Sequence, residues 1–198
     1  IASALVARFS EREESVRLEV LSTFALLLQR LADGPEVSGH KRKRDNVERA
    51  ERAAPLLDLL PHAVRSLGRQ ACTGSPVTQI ACLDTLAQLA AVFGKAMAPH
   101  REPILVAVRR ILSGNREAVA HDRSRALACV ALLRELAMAA PAELAAELPY
   151  VVQVYADAIA AKHHRTALEA LRASATLSQN VVQALGAQAV VSQLARLY

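Results

Sequence analysis

The chain has 198 residues, a net charge of +5 and 53% hydrophobic residues, but aromatic residues make up only 3% of it. Alanine and leucine favour helices, whereas strands favour the aromatic and β-branched residues that are scarce here, so the composition predicts an all-helical protein. Charges interrupt every apolar run before the roughly 18 residues that a membrane span needs, and three scattered cysteines exclude both a disulfide framework and a zinc site.

The first helical region surrounds a charged turn. A short apolar helix end from Ile1 to Arg8 precedes the turn from Phe9 to Glu14, and a helix is predicted from Val16 to Leu31. Asp33-Gly34-Pro35 ends that helix, since glycine and proline are typical of helix ends. The chain begins with isoleucine and shows no signal-peptide pattern, so we expect a segment of a longer protein.

Apolar periodicity is absent from residues 36–52, which we predict to be a basic, disordered insertion. At its centre lie four consecutive basic residues, Lys41, Arg42, Lys43 and Arg44. Three interpretations stay open for them: a solvated loop without a role, a nuclear-import signal, or a contact with an acidic partner. Nucleic-acid binding is not favoured, because such proteins spread basic residues along the molecule and interleave them with aromatic residues.

Further helices are predicted after the insertion. They span Ala53 to Gln70, Val77 to Phe93, Arg101 to Leu112, the region from Asp122 to Pro141, Leu144 to Ala161, His163 to Leu185, and Ala187 to Tyr198. Ser75 is the expected N-cap of the second of these helices, and Pro76 occupies its first position, where proline is tolerated.

One apolar spacing recurs in four of the predicted helices. Each copy places its residues at i, i+1, i+4 and i+7, which gathers them on one face of a helix. The copies are Val20, Leu21, Phe24 and Leu27; Cys82, Leu83, Leu86 and Leu89; Cys129, Val130, Leu133 and Leu136; and Ala170, Leu171, Ser174 and Leu177. They are 62, 47 and 41 residues apart, and the last two steps fit two-helix HEAT or armadillo repeats. The sequence therefore predicts one domain, residues 1–198, built as a right-handed α-solenoid of about four HEAT repeats.

Three prolines occupy the same place in the first helix of three consecutive pairs. Pro61, Pro103 and Pro149 each lie inside a predicted apolar helix. A proline in a helix interior costs about 3 kcal/mol and bends the axis. Their regular recurrence resembles the kink proline in the first helix of HEAT repeats.

The run LVARFSEREESVR, from Leu5 to Arg17, resembles a helix junction of the CAND family, the cullin-associated, neddylation-dissociated exchange factors built of HEAT repeats. In that family a variable polar insertion follows, and then repeats with the spacing seen at Cys82 and Cys129. The resemblance implies a middle segment of a longer member. The alanine-rich stretch from Ala139 to Ala161 departs from the family pattern.

The resemblance also implies a function. Such a scaffold would bind a cullin and its RING subunit, and so regulate assembly or substrate-receptor exchange of cullin-RING ubiquitin ligases such as the SCF complex, in the cytoplasm and the nucleus. The alternative is a generic HEAT or armadillo scaffold, or a nuclear-transport factor.

The sequence predicts no enzyme and no cofactor. The common nucleotide-binding, serine-hydrolase and metalloprotease motifs do not occur in it. His163 and His164 cannot bind one metal together, because adjacent helical side chains point about 100° apart, so we interpret them as solvated residues near a helix cap. The expected partners are proteins, with no nucleic acid and no membrane.

Partner contacts are predicted on the side of each second helix that lies opposite its apolar residues. In a solenoid this side lines the concave surface, where partners are usually held. The candidate partner-binding residues are Asp84, Gln88, Glu135 and Arg172, which we call the partner strip.

Overall fold

The computed structural model describes residues 1–33, 54–113, 123–160 and 163–186, together with residue 195, and these residues form helices and turns without a strand. The α-helices are α1 Ala2–Ala7, α2 Glu14–Asp33, α3 Leu60–Thr73, α4 Pro76–Phe93, α5 Arg101–Ser113, α6 Arg123–Ala139, α7 Pro141–Leu144, α8 Leu148–Ala160 and α9 His164–Leu185, and 3-10 turns span Gly94–His100 and Ala145–Glu147. The insertion 36–52, with Lys41 to Arg44, and nearly all of the predicted last helix lie outside the described residues.

The helices pack in two layers. In the first layer, α2, α4, α6 and α9 each contact the next helix in this order; in the second, α1 contacts α3 and α3 contacts α5. The pairs α1–α2, α3–α4 and α8–α9 join the layers. Because each helix contacts mainly the other helix of its own pair and the helices of the next pair, the described part of the protein is an all-α helical-repeat solenoid, as predicted.

The second and third copies of the apolar spacing are buried as predicted. In α4, Cys82, Leu83 and Leu86 are completely buried, and so are Cys129 and Leu133 in α6. All five belong to one hydrophobic cluster that runs through the described helices. Full burial of a side chain such as leucine contributes about 1.5–3 kcal/mol to the free energy of unfolding, so this face accounts for much of the stability of the stack.

The first and fourth copies differ from the prediction. Leu27 is only half-buried while Leu28 is buried, and Leu171 is 54% exposed while Ala173 is buried. α6 is covered by α4 on one side and by α9 on the other, so both flanks of its apolar stripe are buried. The described helices cover α9 only from the side of α6, α7 and α8. Its buried stripe is therefore narrower, and Leu171 falls outside it.

The three prolines begin helices instead of kinking them. Pro61 is the second residue of α3, Pro149 the second of α8, and Pro103 the third of α5. The predicted helix from 53 to 70 is interrupted by a turn at residues 58–59, and the one from 144 to 161 by a 3-10 turn. The first amide groups of a helix have no partner within it, so proline loses no hydrogen bond at these positions.

The junction motif connects two consecutive repeats. Phe9 is completely buried and meets Phe24 edge to face, with ring centroids 5.1 Å apart. The Glu14 carboxylate accepts hydrogen bonds from the hydroxyls of Ser75 and of Thr78, the latter at 2.7 Å. The Ser75 hydroxyl also accepts one from the Thr78 amide at 3.2 Å, and thus caps α4 as predicted. The first turn of α2 is therefore joined to the first turn of α4.

Within the described residues, Pro76–Ser113 is long and apolar enough to cross a membrane by length and composition. Its first part, α4, contacts α2, α3 and α6. A helix enclosed by three neighbours needs the same apolar composition as a membrane span, and the packing of α4 accounts for it.

Candidate functional site

The partner strip lies in the first layer, on successive helices. Asp84 and Arg172 are exposed, on α4 and α9, while Gln88 and Glu135 are half-buried, on α4 and α6. The Asp84 carboxylate reaches solvent but is crowded by protein atoms, and this partial desolvation raises its pKa. The strip is thus mixed in charge and in exposure.

A network of charges joins two members of the partner strip. The Arg134 guanidinium lies 2.9 Å from the Glu135 carboxylate and 2.5 Å from that of Glu169. Glu169 in turn lies 3.8 Å from Arg172. Glu135 and Arg172 are therefore connected through Arg134 and Glu169, and Arg172 is the more exposed of the two. No hydrogen bond or ion pair between described residues links Asp84 or Gln88 to this network.

Sequence reasoning missed the two central members of the network, Arg134 and Glu169. Arg134 lies within the third copy and Glu169 directly before the fourth, and the attraction of opposite charges could have suggested a pair between the two helices. The distance along the chain, however, does not show which side chains meet. Within the partner strip, the structure therefore connects Glu135 of α6 with Arg172 of α9. Asp84 and Gln88 of α4 are not part of this network.

Gln88 has a further property that bears on partner binding. Its side-chain oxygen is buried and has no hydrogen-bond partner among the described residues. A buried acceptor without a partner costs about 1–3 kcal/mol. Asp84 lies one turn earlier on the same helix and is exposed. On α4, therefore, the Asp84 carboxylate is open to a partner and the Gln88 oxygen is not.

Of the two adjacent histidines, His163 caps a helix and His164 is exposed. The Nδ1 atom of His163 accepts a hydrogen bond from the Thr166 amide at 3.4 Å and lies 2.7 Å from the Thr166 hydroxyl, so His163 caps α9. Partial desolvation, and then the positive charges of Arg123, His164 and Arg165, lower its pKa. Across the described ranges no group of His, Cys, Asp and Glu could hold a metal ion.

A groove opens in the second layer between α5 and α8. These two helices make few direct contacts, and the space between them, about 810 Å³, is lined by residues of α5, α6, α8 and the start of α9. Arg109 closes one end, since it pairs with Glu147 and its guanidinium lies 5.1 Å from the centre of the Tyr150 ring. No sequence pattern indicated this groove, because its lining comes from four helices and includes only two alanines, Ala126 and Ala158.

Comparison with known proteins supports the resemblance found in the junction motif. The chain is 30% identical over 174 residues to a protein of Emericella nidulans, the Cullin-associated NEDD8-dissociated protein 1, C-terminal part. The alignment covers 80% of this chain but only 15% of the relative. No family model and no solved structure matches the chain.

Proposed function

Since the chain belongs to the CAND family of cullin-associated proteins, of which it represents one segment, we propose that it is part of a non-enzymatic scaffold that binds a cullin with its RING subunit. In this role the parent protein regulates assembly of cullin-RING ubiquitin ligases and the exchange of their substrate receptors. The observation that carries the proposal is the alignment with the relative, which covers 80% of this chain. The chain also folds as stacked helical repeats.

The partner strip supplies the contact in this proposal. It crosses three consecutive helices of the first layer, so an elongated partner that follows the stack meets all of its members in turn. Specific protein interfaces bury about 1,200–2,000 Å² in total. Four side chains cover only a fraction of that area, so the segment by itself binds weakly and acts together with the rest of the parent chain.

The test is a pull-down with the full-length protein that contains this segment. The strip variant changes Asp84, Gln88, Glu135 and Arg172 to alanine. The control variant changes two exposed residues to alanine, Arg65 of α3 and Glu143 of α7. Wild type and control are expected to capture a cullin, and the strip variant to lose most of this capture. The relative is named for its dissociation by NEDD8, so none of the three should capture a cullin that carries NEDD8.

Two outcomes would overturn the proposal. Equal capture of unmodified cullin by the strip variant would remove the partner strip from the interface. Failure of the folded wild type to capture any cullin would instead favour a generic HEAT scaffold or a nuclear-transport factor. Location in both cytoplasm and nucleus is part of the proposal, and a fluorescent fusion with Lys41 to Arg44 changed to alanine tests the import signal.

A further inference from the structure

Ser10 lies in the turn between α1 and α2 and is exposed. The backbone leaves the helical conformation after Ala7 and returns to it at Glu14. Between these points, and within the part of the chain that the structure describes, the amides of Ser10, Arg12 and Glu13 donate to no backbone carbonyl. A segment with so few backbone hydrogen bonds opens at low cost, so an enzyme can bind it in an extended form.

Acidic residues follow Ser10 in the sequence. Ser10 is the one serine of this sequence with an acidic residue three positions later, Glu13, and Glu11 follows it directly. Protein kinases select substrates partly by the charges beside the acceptor hydroxyl, and one class selects serines followed by acidic residues at these positions. Glu13 is exposed and can be reached by such a kinase. Thr166 has Glu169 at the same spacing, but Thr166 is buried.

The Ser10 hydroxyl also lies beside a basic side chain of another helix. Nη2 of Arg69, an exposed residue near the end of α3, donates a hydrogen bond to Ser10 Oγ at 3.1 Å. Arg8, on the other side of the turn, pairs with Glu11 at 2.8 Å, whereas Arg69 forms no ion pair with a carboxylate in the described ranges. A phosphoryl group on Ser10 Oγ would therefore place its three acceptor oxygens next to an uncompensated guanidinium.

Two neighbouring serines have the opposite surroundings. The Ser15 hydroxyl donates to the Glu13 carboxylate at 2.7 Å, and the Ser75 hydroxyl donates to the Glu14 carboxylate. A phosphate on either serine would face a negative charge and be repelled. Around this junction, the contacts of Ser10 are thus the ones that favour a phosphate.

We propose that Ser10 is a phosphorylation site for an acidic-residue-directed protein kinase and that Arg69 binds the phosphate. In the transfer, Ser10 Oγ forms a bond to the γ-phosphorus of ATP while the bond from that phosphorus to the β,γ-bridging oxygen breaks. ADP leaves, and the hydroxyl proton passes to the catalytic aspartate of the kinase. Pairs of arginine with phosphate are charge-assisted and often bidentate, so the modification strengthens the contact between the turn before α2 and α3. This regulation of the junction between two repeats does not depend on cullin binding.

The first experiment tests the site. The native 198-residue protein is incubated with ATP, Mg²⁺ and a casein kinase of the acidic-residue-directed class, and the phosphate is located by mass spectrometry. Phosphate is expected on Ser10, and Glu13→Gln should lower the rate about tenfold because the kinase loses a charge contact. Glu19→Gln, at an exposed position of α2, is the control and should leave the rate within about twofold. No phosphate on Ser10, or equal rates for wild type and Glu13→Gln, would overturn the proposed site.

The second experiment tests Arg69 and needs no kinase. Phosphoserine is incorporated at position 10 by codon reassignment in the wild type, in Arg69→Gln and in Arg110→Gln, where Arg110 is an exposed residue near the end of α5. The phosphate should raise Tm by about 2 °C or more in the wild type and in Arg110→Gln, and should not raise it in Arg69→Gln.

Phosphorus NMR of the same proteins gives a readout that a change in packing alone would not move. A positive charge beside the phosphate favours its dianion, so Arg69 should lower the second pKa of the phosphate from its ordinary value of about 6. Arg69→Gln should remove this shift and Arg110→Gln should keep it.

Two results would overturn the role of Arg69. An equal rise of Tm in the phosphorylated wild type and Arg69→Gln proteins would assign the effect to the nearby start of α2. A fall of Tm in the phosphorylated wild type, or a phosphate pKa that does not respond to Arg69→Gln, would show that Arg69 does not bind the phosphate.

Discussion

Arg134 on α6 and Glu169 on α9 form an ion pair of 2.5 Å that joins two consecutive helices of the first layer. The two side chains are 29% and 15% exposed, so the pair is screened less than one on the open surface. Periodicity alone places Arg134 on a solvated flank beside Leu133. The structure instead makes it a link between repeats.

This link can be measured with a double-mutant cycle of Arg134→Ala and Glu169→Ala in urea unfolding. We expect a coupling energy of roughly 1 kcal/mol or more, which is within the range for residues in contact. The comparison pair is Arg8 and Glu11, whose side chains are 57% and 30% exposed and which should couple by about 0.5 kcal/mol or less. Equal coupling in the two cycles would show that the pair between α6 and α9 does not stabilise the stack.

Two leucines on consecutive helices of the first layer should differ strongly in their contribution to the free energy of unfolding. Leu133 is completely buried between helices, so Leu133→Ala should lower the free energy of unfolding by about 2–5 kcal/mol. Leu171 is 54% exposed, so Leu171→Ala should cost less than about 1 kcal/mol. Chemical denaturation of both variants checks this, and similar losses in the two would contradict the buried stripe assigned to α9.

The junction between α2 and α4 predicts a pH dependence. Hydrogen bonds from Ser75 and then Thr78, together with the charge of Arg17, hold the pKa of Glu14 below its ordinary value of 4.5. The stability that the ionised carboxylate contributes is therefore fully present above pH 4.5 and is lost as the pH falls through the lower pKa of the folded state.

Glu14→Gln should accordingly lower Tm at pH 7, and its difference from the wild type should shrink as the pH falls well below 4.5. Thermal unfolding followed by circular dichroism across that range is the measurement. Glu19→Gln, at an exposed position of the same helix, serves as the control and should change Tm little at pH 7. If the difference in Tm between Glu14→Gln and the wild type did not change with pH, the negative charge of Glu14 would not contribute to stability.

Two of the three cysteines should be unreactive in the native protein. Cys82 and Cys129 are completely buried thiols, and burial raises the pKa of each to about 12. Since the thiolate is the reactive form, neither should react with Ellman's reagent at pH 8 until the protein unfolds. In urea, both thiols should become reactive at the concentration at which helicity is lost. Fast labelling of either thiol in the native protein would show that the stack opens locally.

The sequence by itself determined the features that depend on one helix at a time. The apolar spacing identified the buried residues Cys82, Leu83, Cys129 and Leu133, because a helix of 3.6 residues per turn puts them on one face whatever its neighbours are. The cap at Ser75 followed from local hydrogen bonding in the same way. The junction motif, which connects neighbouring helices within a few residues, was enough to indicate the family.

Only the tertiary structure decided the features that depend on which helices lie side by side. The exposure of Leu171, the pair of Arg134 with Glu169, and the groove beside Ala158 each arise between elements that are far apart in the chain. Periodicity defines a face relative to a helix's own axis, but it does not show whether one or two neighbours cover that face. The packing of α9 and the separation of α5 from α8 are therefore properties of the assembled stack.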